Sequence, residues 1–230
     1  MAYAAVLLDL DNTLYKYDPN HNKSMDKVKQ HCIQHFNISE KEFLEKFKTA
    51  RKQTHINLHN TASSHNRVLY FQGLLELLGI NSLTNTLLLY NLYWDTFIEN
   101  MCFMEGVEDA LIYWKNKGIK LCILTDLTTH IQLRKIKKLG LEKYIDFLVT
   151  SEQVGHEKPH AYMFHTALEK VEVDKDKVIM IGDSWNKDIV GAKNFGIQSI
   201  WITESTEHND DIDDVTIFKV KTFNDIRKIV

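Results

Sequence analysis

Residues 4–13 read Ala-Ala-Val-Leu-Leu-Asp-Leu-Asp-Asn-Thr, a short apolar run that ends in two carboxylates spaced two residues apart. The run is too short for a helix and is rich in Val and Leu, so it predicts a strand buried on both faces of a sheet. An unpaired buried carboxylate costs roughly several kcal/mol, so Asp9 and Asp11 need compensation there. These residues alone leave two interpretations open. They form either a strand end with solvated acids or a ligand site at the carboxyl edge of a parallel sheet.

The composition is that of a globular protein and disfavours several classes of function. Of 230 residues, 44% are hydrophobic and 26% are charged, which suffices for a sizeable core. A net charge of −3 offers no basic surface, so we expect no nucleic-acid polymer as a partner. No apolar run approaches the roughly 20 residues of a membrane span, and the N-terminus has no cationic leader. Three cysteines without metal-site spacing suit a reducing compartment, so we expect a cytoplasmic protein with no membrane partner.

The first half of the chain after Thr13 is predicted to be helical. Residues 14–22 carry turn-forming side chains and favour a turn or hairpin. Helical spacing of apolar residues and capping signals then predict helices that begin at Ser24 and at the capping box Ser39–Glu42, and two more over 67–78 and 82–100. We therefore predict an all-helical insertion at 17–103.

From Gly106 onward, predicted strands and helices alternate. The strands fall at 119–124, 146–150, 178–181, 197–202 and, more weakly, 215–220; helices fall at 107–117, 129–139, 161–170, 187–195 and 223–230. Such alternation is typical of a parallel sheet with helices on both faces. The predicted fold class is therefore α/β, with a Rossmann-like parallel-sheet core made of residues 1–16 and 104–230 and the inserted helical domain.

Chemically useful side chains follow several of these strands. Thr125 and Asp126 end the strand at 119–124, Lys158 lies in the loop after the strand at 146–150, and Asp183 and Asp188 follow the strand at 178–181. Each is weak evidence alone, since hydroxyls, lysines and Gly-Asp turns are common in loops. Because the carboxyl ends of parallel strands share one edge, we expect them to meet Asp9 and Asp11.

In this order, the segments resemble the four motifs of the haloacid dehalogenase superfamily: Asp9-Leu10-Asp11-Asn12-Thr13, Leu124-Thr125-Asp126, Glu157-Lys158-Pro159, and Gly182-Asp183-Ser184 with Asp188. The helical insertion resembles that superfamily's C1 cap. Residues 151–155 and 191–196 look most like the branch of pyrimidine 5'-nucleotidases and N-acylneuraminate phosphatases. Dehalogenases of the superfamily lack a second Asp in the first motif, so Asp11 favours phosphoryl transfer. The resemblance implies a phosphoric monoester hydrolase.

The resemblance also implies catalytic roles. Asp9 would be the nucleophile that forms an aspartyl-phosphate. Asp11 would protonate the leaving oxygen and then help to activate water, and acidic surroundings would favour its protonated form. Thr125, the main chain of Asp126 and the Lys158 ammonium would bind the phosphoryl group. The Asp126 side chain would point either harmlessly away or toward phosphate, which it would repel.

A phosphomonoester brings nearly two negative charges to this set of acids, so a cation is needed. Oxygen ligands and phosphate favour Mg²⁺. By the resemblance, the metal ligands would be the Asp9 carboxylate, the Asp11 main-chain carbonyl and Asp183, with Asp188 outside them or bound through water.

Three functions stay open at this stage. The first is a Mg²⁺-dependent phosphatase of a small metabolite, with a nucleoside 5'-monophosphate as the first expectation. The second is a sugar-phosphate phosphatase or a phosphomutase of the same superfamily. The third is a non-catalytic phosphoacceptor resembling a response-regulator receiver, which the helical insertion disfavours. The sequence leaves open whether the protein is a monomer or a homodimer.

Three other patterns have less weight. The pairs His31/His35 and His55/His59 lie one helical turn apart, but nothing completes a metal set. The aromatic stripe Tyr90, Tyr93, Trp94 and Phe97 favours packing over stacking on a nucleobase. The acidic run 210–214 is expected to be a solvated loop.

Overall fold

The computed structural model describes residues 3–203, 216–226 and 229–230, so the acidic run 210–214 lies outside the described residues. The chain forms two compact units, one made of Met1–Lys16 and Cys102–Val230 and the other of Tyr17–Met101. The predicted insertion extended to Phe103, whereas Cys102 and Phe103 belong to the α/β unit. The Met104 N–H donates to the Leu14 carbonyl at 3.0 Å, which ties the returning chain to the segment after the first strand.

The helical unit contains four long helices: α1 Tyr17–Phe36, α2 Glu40–Asn57, α3 Arg67–Leu77 and α4 Ser82–Glu99. The turn or hairpin predicted at 14–22 is wrong from Tyr17 onward, because α1 begins there rather than at Ser24. Asp18 and Pro19 lie in its first turn. Proline removes no helical hydrogen bond there, and the negative charge of Asp18 interacts favourably with the positive end of the helix dipole. The predicted cap at Ser39 is present, and its hydroxyl accepts from the Glu42 N–H at 3.2 Å.

Aromatic side chains fill the interior of the helical unit. Tyr93, Trp94 and Phe97 are buried, and the Tyr93 ring lies 6.0 Å from the ring of Phe71 on α3. Three members of the aromatic stripe on α4 therefore pack in the protein interior, as the packing interpretation expected.

In its described residues, the α/β unit is built on a parallel sheet of six strands. They are β1 Ala5–Leu8, β2 Lys120–Thr125, β3 Phe147–Thr150, β4 Val178–Gly182, β5 Gln198–Ile202 and β6 Ile217–Val220, in the spatial order β3-β2-β1-β4-β5-β6. Every pairing is parallel, and Leu7 pairs with Cys122 on one side and with Met180 on the other. The predicted α/β fold class with a Rossmann-like sheet is confirmed.

Five helices lie between strands in the described part of this unit: α5 Val107–Asn116, α6 Thr129–Leu139, α7 Ser151–Val154, α8 Ala161–Val171 and α9 Val190–Phe195. A sixth, α10 Phe223–Ile226, follows β6. A π-helical turn, Trp185–Ile189, precedes α9 where one regular helix was predicted from Lys187. One face of the sheet packs through Leu7, Cys122 and Met180 against Phe164 and its neighbours on α8. Among the described helices, none is long and apolar enough to cross a membrane.

Candidate active site

Three adjacent strands bring distant parts of the chain to one edge of the sheet. Leu8, the last residue of β1, pairs with Ile123 of β2 and with Ile181 of β4. Asp9 therefore leaves the sheet between the ends of β2 and β4. The strand order also reverses beside β1, since β2 lies on one side and β4 on the other. Open α/β sheets bind their ligands at such a switch point.

Lys158 is the central cation of this edge. Its Nζ donates to Asp9 Oδ1 at 2.6 Å, to Asp188 Oδ1 at 2.7 Å and to the Leu124 carbonyl at 2.9 Å, which uses all three ammonium donors. The side chain is only 2% exposed. Burial acts to lower the pKa of Lys158, but the carboxylates of Asp188 and Asp9 outweigh burial and raise it. Lys158 is therefore a fixed positive charge at neutral pH.

Three carboxylates surround a space that suits a divalent cation. Asp9, Asp183 and Asp188 each offer an oxygen, and these oxygens lie within 4.8 Å of one another. Burial raises the pKa of Asp9 well above its usual range, Lys158 opposes this, and the neighbouring acids add to it. Burial and then Asp188 raise the pKa of Asp183 to about 6. One lysine cannot balance three acids, and a set of carboxylate oxygens fits Mg²⁺.

A hydroxyl and a backbone amide fix the orientation of these acids. The Thr13 hydroxyl is fully buried and lies 3.1 Å from Asp9 Oδ2 and 3.3 Å from Asp183 Oδ1. It thus joins two acids from opposite ends of the chain. The Ser184 N–H donates to Asp188 Oδ2 at 3.0 Å, so each oxygen of Asp188 already accepts a hydrogen bond from the protein.

Asp11 has different direct contacts from Asp9. Lys135 Nζ donates to Asp11 Oδ1 at 2.7 Å and to Oδ2 at 2.9 Å, and the Tyr15 hydroxyl also donates to Oδ1. The sequence predicted acidic surroundings for this carboxyl. In the structure its charge does act on the neighbouring Asp9, but its direct contacts are with a fully buried lysine supplied by α6 and with a tyrosine.

The Thr125 hydroxyl is oriented by Gln132. Gln132 Nε2 donates to Thr125 Oγ1 at 2.7 Å and to the Asp126 carbonyl at 2.7 Å. Since the oxygen of Thr125 accepts this bond, its proton remains available as a donor. That proton now makes only a long contact of 3.3 Å to the Asp126 carbonyl. A phosphoryl oxygen would be a better acceptor.

The Asp126 side chain holds a loop. Its Oδ1 accepts from the Lys158 N–H at 3.0 Å, and its Oδ2 accepts from Lys187 Nζ at 2.7 Å. Both carboxylate oxygens are therefore occupied by the protein, and one of them fixes the backbone that carries Lys158. Of the two orientations considered from the sequence, these contacts favour the one that points away from phosphate.

Sequence reasoning missed Gln132 and Lys135, although α6 carries a signal for both. The buried face of this helix consists of Ile131, Gln132, Lys135, Ile136 and Leu139, which follow helical spacing. Two polar residues occupy positions of an apolar stripe. A buried lysine needs a counter-charge, so this pattern indicates a polar partner inside the unit.

Glycine at the end of β4 permits the close approach of Asp188. A Cβ atom on Gly182 would lie 2.3 Å from Asp188 Oδ2 and 2.5 Å from its Cγ. No side chain fits there without moving the carboxylate. At Gly191 a Cβ atom would meet the Phe164 ring at 2.8 Å, so this glycine lets α9 lie close to α8.

A family model described as haloacid dehalogenase-like hydrolase matches residues 3–196. The chain belongs to this family. A ribulose-1,5-bisphosphate 5-phosphatase from Halopiger xanaduensis is 34% identical over 205 residues, which cover 88% of this chain and 86% of that protein. A glyceraldehyde 3-phosphate phosphatase from Methanothermobacter thermautotrophicus is 33% identical over 125 residues, 54% of this chain and 55% of that protein. The predicted enzyme class, a phosphoric monoester hydrolase of the haloacid dehalogenase superfamily, is confirmed.

Two further similarities bear on the branch and the fold. Pyrimidine 5'-nucleotidase YjjG from Escherichia coli is 37% identical over 84 residues, 36% of this chain and 37% of that protein. The crystal structure of a phosphatase of this superfamily from Thermococcus onnurineus has a TM-score of 0.77 with 24% sequence identity, covering 100% of this chain and 97% of that one. The structural match supports the fold.

Proposed function

We propose that this enzyme is a Mg²⁺-dependent phosphatase of small phosphorylated sugars that acts through an aspartyl-phosphate on Asp9. One observation supports the site assignment most strongly. The buried Lys158 joins Asp9 to Asp188 next to Asp183, at the switch point of a parallel sheet. A fixed ammonium among carboxylates attracts a phosphoryl group while it holds the attacking carboxylate in place.

The proposed reaction uses these contacts. A carboxylate oxygen of Asp9 attacks phosphorus, the bond from phosphorus to the sugar oxygen breaks, and Asp11 gives a proton to that oxygen. Asp11 then takes a proton from a water molecule, which attacks phosphorus, releases inorganic phosphate and restores Asp9. Lys135 balances the negative charge that Asp11 carries between these steps. Thr125 donates to a phosphoryl oxygen, and Lys158, whose three donors are used within the protein, contributes its fixed positive charge beside the phosphoryl group.

The metal would be held by the Asp9 and Asp183 carboxylates, with the Asp11 main-chain carbonyl assigned by the superfamily resemblance. When bound, Mg²⁺ supplies charge neutralisation for the phosphoryl oxygens and for the acids. Asp188 is better suited to a position outside the metal's direct ligands, since it already accepts from Lys158 and Ser184.

The helical unit, Tyr17–Met101, is proposed to be the C1-type cap that selects the substrate. Its all-helical content and its place in the sequence, between Asp11 and the later motifs, support this assignment.

Phosphorylated sugars are favoured as substrates because the longest of the matches described above is to a ribulose-bisphosphate phosphatase, and a shorter one is to a glyceraldehyde 3-phosphate phosphatase. A nucleoside 5'-monophosphate, the first expectation from sequence, stays a second candidate through the shorter match to YjjG. Family membership among hydrolases disfavours the receiver-like phosphoacceptor.

Phosphate release from a panel of metabolites tests the proposal. The panel should include ribulose 1,5-bisphosphate, glyceraldehyde 3-phosphate, hexose phosphates and pyrimidine 5'-monophosphates, each with Mg²⁺ and with a chelator. We expect turnover with Mg²⁺, fastest on a sugar phosphate, and none in Asp9→Asn, which keeps the shape but lacks the attacking charge. Near wild-type turnover in folded Asp9→Asn would refute the nucleophile assignment. Faster turnover of the nucleotides would overturn the substrate class alone.

A further inference from the structure

A lysine lies between two acids that each adjoin a residue of the phosphoryl site. Asp126 directly follows Thr125 in the sequence, and Glu157 directly precedes Lys158. Lys187 Nζ lies 2.7 Å from Asp126 Oδ2 and 3.5 Å from Glu157 Oε2. The side chains of both acids are largely buried, whereas that of Lys187 is partly exposed. Lys187 therefore contributes a positive charge to a pair of carboxylates that the proposed reaction does not use.

These two acids would weaken phosphate binding if their charges were not offset. A phosphomonoester carries nearly two negative charges at neutral pH. Like charges repel one another over several ångströms where burial limits screening by water. Asp126 Oδ1 accepts a hydrogen bond from the Lys158 N–H at 3.0 Å, so this carboxylate is held against the loop that carries Lys158. A lysine is cationic at neutral pH, and Lys187 is placed to offset this negative charge.

The backbone around Lys187 determines where its side chain begins. The residue lies in the π-helical turn Trp185–Ile189, and its N–H donates to Ser184 Oγ at 3.4 Å. The next residue, Asp188, is fully buried and accepts from Lys158 Nζ at 2.7 Å. The same turn therefore supplies an acid to the ammonium of Lys158 and an ammonium to the acid that accepts from the Lys158 N–H.

We propose that Lys187 is a positioning residue that neutralises Asp126 and Glu157 and so allows the site to bind a doubly charged phosphoryl group. The inference rests on the proposed function and adds a residue to it. Lys187 acts through the two acids and does not touch the substrate. Its ion pair with Asp126 also keeps that carboxylate turned toward the Lys158 N–H and away from the phosphoryl group.

Steady-state kinetics with 4-nitrophenyl phosphate, together with inhibition by inorganic phosphate, test this role. Both probes place a phosphate group in the site with little else attached to it. In Lys187→Met we expect KM and the inhibition constant for phosphate to rise about tenfold or more, since the uncompensated acids repel both anions. The value of kcat should change less than about threefold, because substrate and transition state carry similar charge. Equal KM in wild type and Lys187→Met would overturn the proposal.

A second substitution distinguishes charge neutralisation from a purely structural link. Adding Asp126→Asn to Lys187→Met removes a repelling charge, and the amide oxygen can still accept from the Lys158 N–H. KM should then return severalfold toward the wild-type value. Without such recovery, Lys187 only ties the loops together and the proposal is wrong. Lys187→Arg, which keeps the positive charge, should retain most of the wild-type affinity for phosphate.

Lys115→Met is the matched control. Lys115 Nζ lies 2.6 Å from Asp146 Oδ1, and Asp146 Oδ2 accepts from the Leu121 N–H at 2.9 Å, so this acid also joins a lysine to a backbone amide. The side chains of Lys115 and Lys187 are 35% and 38% exposed. Asp146 directly precedes β3, which places this pair at the amino edge of the sheet, away from the phosphoryl site. Thermal melts should show similar losses of Tm in both lysine variants, but Lys115→Met should keep the wild-type KM. An equal rise in KM would contradict the proposal.

Failure of the proposed function would show differently, as no phosphate release by the wild type from 4-nitrophenyl phosphate or from any sugar phosphate. Calorimetric binding of inorganic phosphate in the presence of Mg²⁺ then tests the charge of Lys187 without turnover. Weaker binding to Lys187→Met, with recovery on adding Asp126→Asn, would support the proposal. Equal binding to wild type and Lys187→Met, or no binding to either, would refute it.

Discussion

Replacing Asp183 with Asn should stabilise the metal-free protein and remove its response to Mg²⁺. In the metal-free site, Asp183 is one of three acids that face a single lysine. The change removes one negative charge and keeps the shape, and an amide oxygen can still accept from the Thr13 hydroxyl, which lies 3.3 Å away. Most substitutions destabilise a protein, so a gain in stability of the metal-free Asp183→Asn protein would be an unusual result that tests the reasoning.

The magnitude follows from the pKa of Asp183. The pKa rises from the usual value of 3.8 to about 6, so the folded state binds its proton more tightly than the unfolded state. Stability from this group is therefore present below about pH 4 and is lost as the pH rises to about 6. At pH 7 the ionised group costs at most about 3 kcal/mol, at 1.36 kcal/mol per pKa unit. Removing it should raise Tm by roughly 2 to 10 °C.

Thermal melts at pH 7 with a chelator, and again with saturating Mg²⁺, provide the measurement. Wild type should gain roughly 2.7 kcal/mol when Mg²⁺ is one hundred times its Kd, whereas Asp183→Asn should gain almost nothing. Asp174→Asn is the matched control, since it removes one acid whose side chain is 82% exposed and 3.8 Å from Lys177. A metal-free Asp183→Asn protein less stable than wild type, with a normal Mg²⁺ response, would refute the reasoning.

Two further changes test the contacts around the acids. Lys135→Met removes the charge that contacts Asp11. Phosphate-release assays should then show kcat reduced at least about tenfold, while the Mg²⁺-dependent shift in Tm persists. An unchanged kcat would count against a role for this lysine. Gly182→Ala places a Cβ atom 2.3 Å from Asp188 Oδ2, so urea unfolding should show a loss of about 1 to 3 kcal/mol, together with loss of activity. Gly118→Ala is the control, because Gly118 has a φ of +74° and a Cβ atom there would meet no atom within 4 Å. It should lose stability but keep kcat. Equal kcat in the two glycine variants would contradict the view that Gly182→Ala acts on catalysis by displacing Asp188.

The sheet and the positions at its edge could be predicted because they depend on local pattern. A buried apolar run of strand length can be recognised from the sequence alone, and its alternation with helices indicates that the strands are parallel. Parallel strands place their carboxyl ends together, so Asp9, Lys158 and Asp183 could be expected to meet without knowledge of any distance. In the structure, Lys158 contacts both Asp9 and Asp188 at this edge of the sheet.

The partners of Asp11 could not be predicted in the same way. Its lysine comes from the middle of α6 rather than from a strand end. The apolar stripe of α6 indicates that Lys135 is buried, but it does not identify the acid that the lysine contacts. That partner depends on how the helix packs in the folded unit, which is a tertiary property. Arg67 on α3 is similar, since only the packed helical unit shows that the rings of Tyr70, Tyr93 and Trp94 lie beside its guanidinium.

The different surroundings of Asp9 and Asp11 suit the separate roles proposed for these two acids. Asp9 lies with Asp183 and Asp188, where burial and negative neighbours oppose a free charge until a cation and Lys158 stabilise it. Asp11 instead has direct contacts with Lys135, whose ammonium would stabilise the charge that the proposed proton transfer leaves on Asp11. The two cations lie on separate elements, the loop before α8 and helix α6, so each carboxylate contacts its own lysine, although the charge of Asp11 still raises the pKa of Asp9. Pairs of acids with opposed environments are the arrangement in which one attacks while the other transfers the proton.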